Sequence, residues 1–128
     1  MSITVNKLSS NAFFANYLKW PFTEGYWGTR DYLPQAAQVM LPGAPLNDTG
    51  WNDPEWTKIM IEASRTLDEG KRAEFLHAAQ VIEYDRGSYV IWGFLNLTDA
   101  YSTKIGGVVP GKIGALGNYS LSRIGFVA

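Results

Sequence analysis

The stretch Gly106-Gly107-Val108-Val109-Pro110-Gly111-Lys112-Ile113 nearly matches the phosphate-binding loop pattern G-x-x-x-x-G-K-[ST]. Its chemistry fails in three places. Ile113 lacks the hydroxyl that would hold magnesium, and Pro110 removes one of the amide donors that would cradle a phosphate. Gly114 and Gly117 then disfavour the helix that must follow. The stretch is expected to be a turn-rich loop. The single histidine, His77, sits between Leu76 and Ala78, about 100° from Leu76 on a helix and off the apolar stripe. It reads as a surface residue. Glu62, Asp68, Glu74 and Glu83 read as solvated helix faces and a cap, and no carboxylate pair can be set across a pocket. No serine lies in a nucleophile elbow, and the only base available to one is His77. With no cysteine there is neither a disulfide framework nor a thiolate metal site. No enzyme and no cofactor is expected.

Aromatic residues make up 14% of the chain, with five Trp among 128 residues, and they are what remains. Trp56 and Phe75 fall on helix stripes, and Trp92 falls in an apolar run, so these three are expected in the core. Trp20, Tyr26, Trp27, Tyr32 and Trp51 lie near turns or loops. Side chains of that kind either line a ligand surface, where rigid rings offer contact at low entropic cost, or cap the edges of the core.

These side chains need elements to position them. Ile3, Val5 and Leu8 open with the alternation of a short strand, and Ser10 or Asn11 can cap a helix running through Leu18. Phe22–Trp27 reads as a second strand ending at Gly28, and a helix started by Pro34 runs to Met40. A loop rich in Pro, Gly and Asn follows up to Gly50. Then Asn52 or Asp53 caps a helix with Pro54 in its first turn and a stripe of Trp56, Ile59, Met60, Ala63 and Leu67. Asp68 caps another, with Phe75, Leu76, Ala79 and Ile82 as its stripe and Gly87 as its stop. Tyr89–Leu95 has no alternation and reads as a strand buried on both faces. Ala100–Lys104 reads as one more strand, and Tyr119, Leu121 and Ile124 mark a final extended stretch. Interleaved strands and helices predict an α/β fold.

Composition narrows the partners. Eleven Lys and Arg against twelve Asp and Glu give a net charge of -1, without any run of like charge. A chain whose main partner is nucleic acid or an anionic membrane carries a basic face, and none is evident here. No segment has the basic start and unbroken apolar stretch of a secretory signal, and none approaches a membrane span. Asn47, Asn96 and Asn118 each begin an N-x-[ST] pattern, which matters only in a eukaryotic secreted protein.

The order of features carries a resemblance. Tyr26-Trp27-Gly28-Thr29-Arg30 is followed by a helix and a Pro/Gly loop, then Trp51-Asn52-Asp53-Pro54-Glu55-Trp56. Glu62-Ala63, Leu67-Asp68-Glu69-Gly70-Lys71-Arg72, Ala79-Gln80-Val81-Ile82, an apolar run and Ile105-Gly106-Gly107 come next. This succession resembles the C-terminal portion of the extracytoplasmic solute-binding proteins of ABC transporters, the oligopeptide/dipeptide/nickel-binding family (family 5). The resemblance covers nearly the whole chain and is strongest from Asn52 to Gln80. It implies that residues 1–128 are a single-domain C-terminal fragment of a two-lobed protein with a type II periplasmic-binding-protein fold. The expected architecture is a partial mixed sheet with packed helices, from the end of the second lobe. Ser2-Ile3-Thr4-Val5 resembles the middle of a lobe. The implied partners are a peptide or peptide-like solute and, for the full-length parent, the transporter's permease subunits, with the parent in the periplasm or outside the cell.

In that family a Trp before the ligand loop lines the cleft, and an Asp three positions later meets the amino terminus of a bound peptide. Trp27 matches the Trp, and Gly28 follows it. The position three later is Arg30, with Asp31 beside it. The resemblance therefore places the ligand contact on Trp27, Gly28, Arg30 and Asp31, and departs from the family where the ligand's charge is set. Arg30 there favours a carboxylate through charge-assisted, bidentate bonding. Alternatively, Asp31 keeps the amine-binding role shifted by one residue, or Arg30 is a surface ion-pair residue. Half a cleft implies negligible affinity for the fragment by itself. The competing class is a stand-alone module that binds carbohydrate or protein through its loop aromatics.

Overall fold

Capping chemistry starts the helices. A computed structural model describes residues 2–127. Helix α1 (Ser10–Ala15) begins at Ser9, whose Oγ accepts from the Ala12 amide at 3.3 Å; the cap therefore lies one residue before the expected Ser10. The helix also ends at Ala15, three residues short of the expected Leu18, with Asn16 as its C-terminal cap, and Leu18 has a positive φ of 69°. Helix α2 (Tyr32–Val39) places Pro34 inside its first turn, where the missing amide is harmless. Helix α3 (Pro54–Arg65) has Pro54 at its start and Asp53 as cap, with Asp53 Oδ1 accepting from the Trp56 amide at 2.9 Å. Helix α4 (Glu69–Arg86) is capped by Asp68, which accepts from the Lys71 amide at 2.8 Å. Gly87 stops α4 without a left-handed turn. Its φ is -70°, but a Cβ there would sit 2.2 Å from the Glu83 carbonyl oxygen.

The chain divides into two compact units, one of residues 1–24 and 32–89, the other of residues 25–31 and 90–128. In the first, α3 and α4 pack lengthwise and α2 closes over them. Trp56 and Met60 from α3, Ala79 and Ile82 from α4, and Ala36, Val39 and Met40 from the α2 end make one buried cluster. Ala36 and Ala79 are fully buried, and their small size lets the helix backbones approach Trp56, which fills the space between them. Ile59, Leu76, Trp51 and Tyr89 pack around this cluster half-buried. Leu67 departs from the expected stripe and is 93% exposed. Thr66 ends α3 with extended backbone, so helical spacing no longer governs the next residue.

The second unit contains the only sheet among the described residues. Strand β1 (Ile105–Gly106) pairs antiparallel with β2 (Gly125–Phe126), matching Ile105 with Phe126 and Gly106 with Gly125. Between them lie α5 (Ala115–Tyr119) and a 3-10 turn (Leu121–Arg123). Residues Leu116 to Tyr119 have positive φ of 47° to 66°, a left-handed turn. Side chains hold it: Asn118 Oδ1 accepts from the Ile113 and Gly114 amides at 3.0 and 2.9 Å, and Asp99 Oδ2 accepts from Leu116 at 2.9 Å. The phosphate-loop look-alike leaves β1 at Gly106 as an irregular loop that bends from Lys112. Gly107 has φ of +81°, and a Cβ on it would lie 1.8 Å from the Arg123 carbonyl oxygen.

The fold is thus mixed and mostly helical, with one small antiparallel sheet. The broader mixed sheet is absent among the described residues. Ile3–Leu8, Phe22–Trp27, Tyr89–Leu95 and Ala100–Lys104 form no strands, and the extended tail around Tyr119–Ile124 is a left-handed and 3-10 turn instead. Trp92, expected in the core, is 76% exposed. The physical reason is common to all of them. A side-chain pattern selects the face of a strand, but the strand exists only where a neighbour pairs its backbone. The surface area reports the same deficit. The chain exposes 10507 Å². A compact monomer of its 14.2 kDa exposes roughly 6800 Å², and two separate globules of the same total mass roughly 8100 Å².

Candidate ligand-binding segment

Gly25–Asp31 carries all four residues singled out from the sequence, within the second unit. The segment has no helix or strand, and each of its residues is exposed. Trp27 is 36% exposed and Tyr26 83%. The Arg30 guanidinium carbon stands 5.4 Å from the centre of the Trp27 ring. Cation–π contact of this kind is worth about 0.5–1 kcal/mol at an exposed site. It holds the guanidinium over an aromatic ring. Trp27 and Arg30 are therefore brought together. Gly28 lies between them with no atom within 4 Å of where a Cβ would be, so neither crowding nor a positive φ demands glycine there. Asp31 stands exposed immediately before α2.

The other loop aromatics are sorted by the fold. Tyr32 and Trp51 belong to the edge of the core of the first unit. The Trp51 ring meets Trp56 edge-on at 5.0 Å, and its Nε1 donates to the Arg86 carbonyl at 3.1 Å. Trp20 donates through Nε1 to the Phe13 carbonyl at 3.2 Å, docking onto α1. Of the five, only Tyr26 and Trp27 are left as open contact surface.

Three polar clusters escaped the sequence reading. Trp56 Nε1 donates to the Tyr32 hydroxyl at 3.1 Å, and that hydroxyl donates to Glu83, so one residue from each of α3, α2 and α4 forms a chain. Glu83 is half-buried rather than part of a solvated face, and burial raises its carboxyl above the ordinary value of 4.5. Burial first, and then the bond to Glu83, push the Tyr32 phenol upward as well. In the second cluster Arg86 Nε reaches Asp53 Oδ2 at 2.6 Å and Nη2 reaches Glu55 Oε2 at 2.6 Å, tying the end of α4 to the start of α3. These bonds hold Asp53 below the ordinary carboxylate value and Arg86 above its own. Asp48 likewise accepts from Tyr89 and, at 3.4 Å, from Tyr17. Each cluster joins elements within one unit. The place of Trp56 on its stripe was visible; that Tyr32 and Glu83 would meet it was not.

Among the described residues no group of three or more His, Cys, Asp or Glu is placed to hold a metal, and no helix is long and apolar enough to cross a membrane. His77 is exposed on α4. No protein-family model matches the chain, and no match is found among curated proteins or solved structures. The likeness to solute-binding proteins rests on the residues alone.

Proposed function

We propose that this chain is the C-terminal portion of a solute-binding component of an ABC importer for peptides or peptide-like solutes, contributing half of the binding cleft. The stacking of Arg30 on Trp27 carries the reading. An exposed aromatic wall with a guanidinium held at its face suits the end of a ligand that presents peptide backbone and a carboxylate. The surface in excess of a compact protein's supports the missing half of the cleft, since apolar segments left open here need a covering lobe. Binding between lobes tolerates varied side chains, because backbone groups supply the shared contacts. Asp31, one residue on, offers an acceptor for an amine on the same ligand.

The test begins with the gene. The reading frame upstream of Met1 is expected to continue into a first lobe with a signal peptide, beside permease genes. Calorimetry on that parent with short peptides should then show binding weakened about tenfold or more by Trp27→Ala and by Arg30→Ala. An isolated reading frame without such neighbours, or a parent indifferent to both substitutions, overturns the reading. So does micromolar peptide binding by the 128-residue chain alone. The stand-alone module is favoured by one observation, the openness of Tyr26 beside Trp27, and sugar titration monitored by tryptophan fluorescence separates it.

A further inference from the structure

We propose that a cavity in the second unit, walled by residues 97–101 and 108–111, binds a small protonated amine with an aliphatic body. The cavity measures about 290 Å³ and draws its lining from both segments. Leu97, Val108 and Pro110 are its apolar side, and Thr98, Asp99 and Tyr101 its polar side. Apolar walls with a few convergent polar groups are the usual make-up of a small-molecule site. The volume lies at the low end of such sites, near about 300 Å³, which suits a free amine of a few carbons. A second depression, of about 340 Å³, is lined only by Asn52 and one helix, α3.

Asp99 sets the charge of the ligand. It is half-buried, and it is the one charged residue among the described residues that line the cavity. Its Oδ2 accepts from the Leu116 amide at 2.9 Å, which fixes the carboxylate in place. Its Oδ1 has no protein partner among the described residues, and neither have the Thr98 and Tyr101 hydroxyls. No Lys or Arg neutralises it either, since the three ion pairs among the described residues all lie in the first unit. A half-buried carboxylate without a counter-ion favours a cation, and its bonds to an ammonium are charge-assisted. An ammonium has three donors, matched here by the free oxygens of Asp99, Thr98 and Tyr101. The Tyr101 ring adds a face that attracts positive charge, and Leu97, Val108 and Pro110 shelter the carbon stem. Leu116, bonded to the same carboxylate, begins the left-handed turn, so its amide senses what Asp99 holds. The inference stands apart from the solute-binding reading, which uses Gly25–Asp31.

The test is a titration of the full chain with n-butylammonium chloride at neutral pH and constant ionic strength, followed by amide NMR. The Asp99, Tyr101 and Leu116 amides should shift to saturation, with a dissociation constant on the order of 1 mM. n-Butanol, of similar size and without the charge, should bind about tenfold more weakly. Asp99→Asn should weaken butylammonium binding by about the same factor. Asparagine keeps an oxygen for the Leu116 amide, and wild-type shifts at Gly117 and Tyr119 establish that the turn is retained. Val108→Phe fills the cavity, leaves the carboxylate in place and should also abolish saturation. Shifts that grow without saturating up to about 50 mM overturn the inference, as does equal affinity for the alcohol and the amine. So does a response confined to Gly28–Asp31, which puts the amine on Asp31 instead.

Discussion

Replacing Trp56 with alanine measures what the core of the first unit contributes. The side chain is wholly buried between α2, α3 and α4, where Trp→Ala costs about 3–5 kcal/mol from lost transfer energy and the cavity left behind. The indole N–H bond to the Tyr32 hydroxyl adds about 1 kcal/mol at most, because that hydroxyl still donates to Glu83 when the indole is gone. A unit of roughly 80 residues has a total stability of about 4–12 kcal/mol. A loss near 4 kcal/mol is therefore between a third and all of it. At about 4–8 °C per kcal/mol for a unit this small, the midpoint should fall by roughly 15–30 °C. Far-ultraviolet circular dichroism reads the transition directly, since α3 and α4 carry most of the helix. Trp92→Ala is the matched control. Its ring is already in water, so the midpoint should move by less than about 0.5 kcal/mol equivalent. Equal losses for the two variants would refute the assignment of the core, as would a Trp56→Ala chain that melts like the wild type.

Glu83→Gln should remove a pH dependence. Because burial raises the Glu83 value above 4.5, the native state holds its proton where the unfolded chain has released it. Stability from this group is thus present at low pH and falls as pH rises from the unfolded value to the raised native one. The variant should lose that fall and be at least as stable as wild type at neutral pH; urea midpoints between about pH 4 and about pH 7 check it, and an unchanged slope counts against it. Gly107→Ala should disrupt the second unit selectively, since the new Cβ meets the Arg123 carbonyl at 1.8 Å and φ is +81°. Amide exchange at Gly106 and Val127 should accelerate while the α3–α4 helices keep their protection. Uniform exchange across both units would contradict the division.

The α3–α4 pair was legible because every instruction for it is local. Asp53 and Asp68 cap through bonds spanning three residues, Pro54 has no amide to lose, and the Trp56, Met60, Ala63 and Ala79, Ile82 stripes repeat at helical spacing. Trp27 and Arg30 were singled out only as a short run, and the structure adds that the two side chains meet. Strands were misread for a matching reason. Tyr89–Leu95 has the composition of a buried strand, yet composition cannot supply the neighbour that would bury it. Glu83 was misread because helical spacing places it beside the stripe without saying that Tyr32, fifty-one residues earlier, would arrive to donate to it.

By itself, then, the sequence determined where α3 and α4 begin, which of their faces are apolar and which chemistries are excluded by the absence of cysteine. Those properties depend on residues a few positions apart, or on composition alone. Tertiary structure decided which aromatics are core and which are surface, putting Tyr32 and Trp51 inside and leaving Trp27 and Trp92 open. It also decided that Asp53 would meet Arg86 across thirty-three residues. Burial and pairing are properties of two segments at once, and only their packing brings both to the same place.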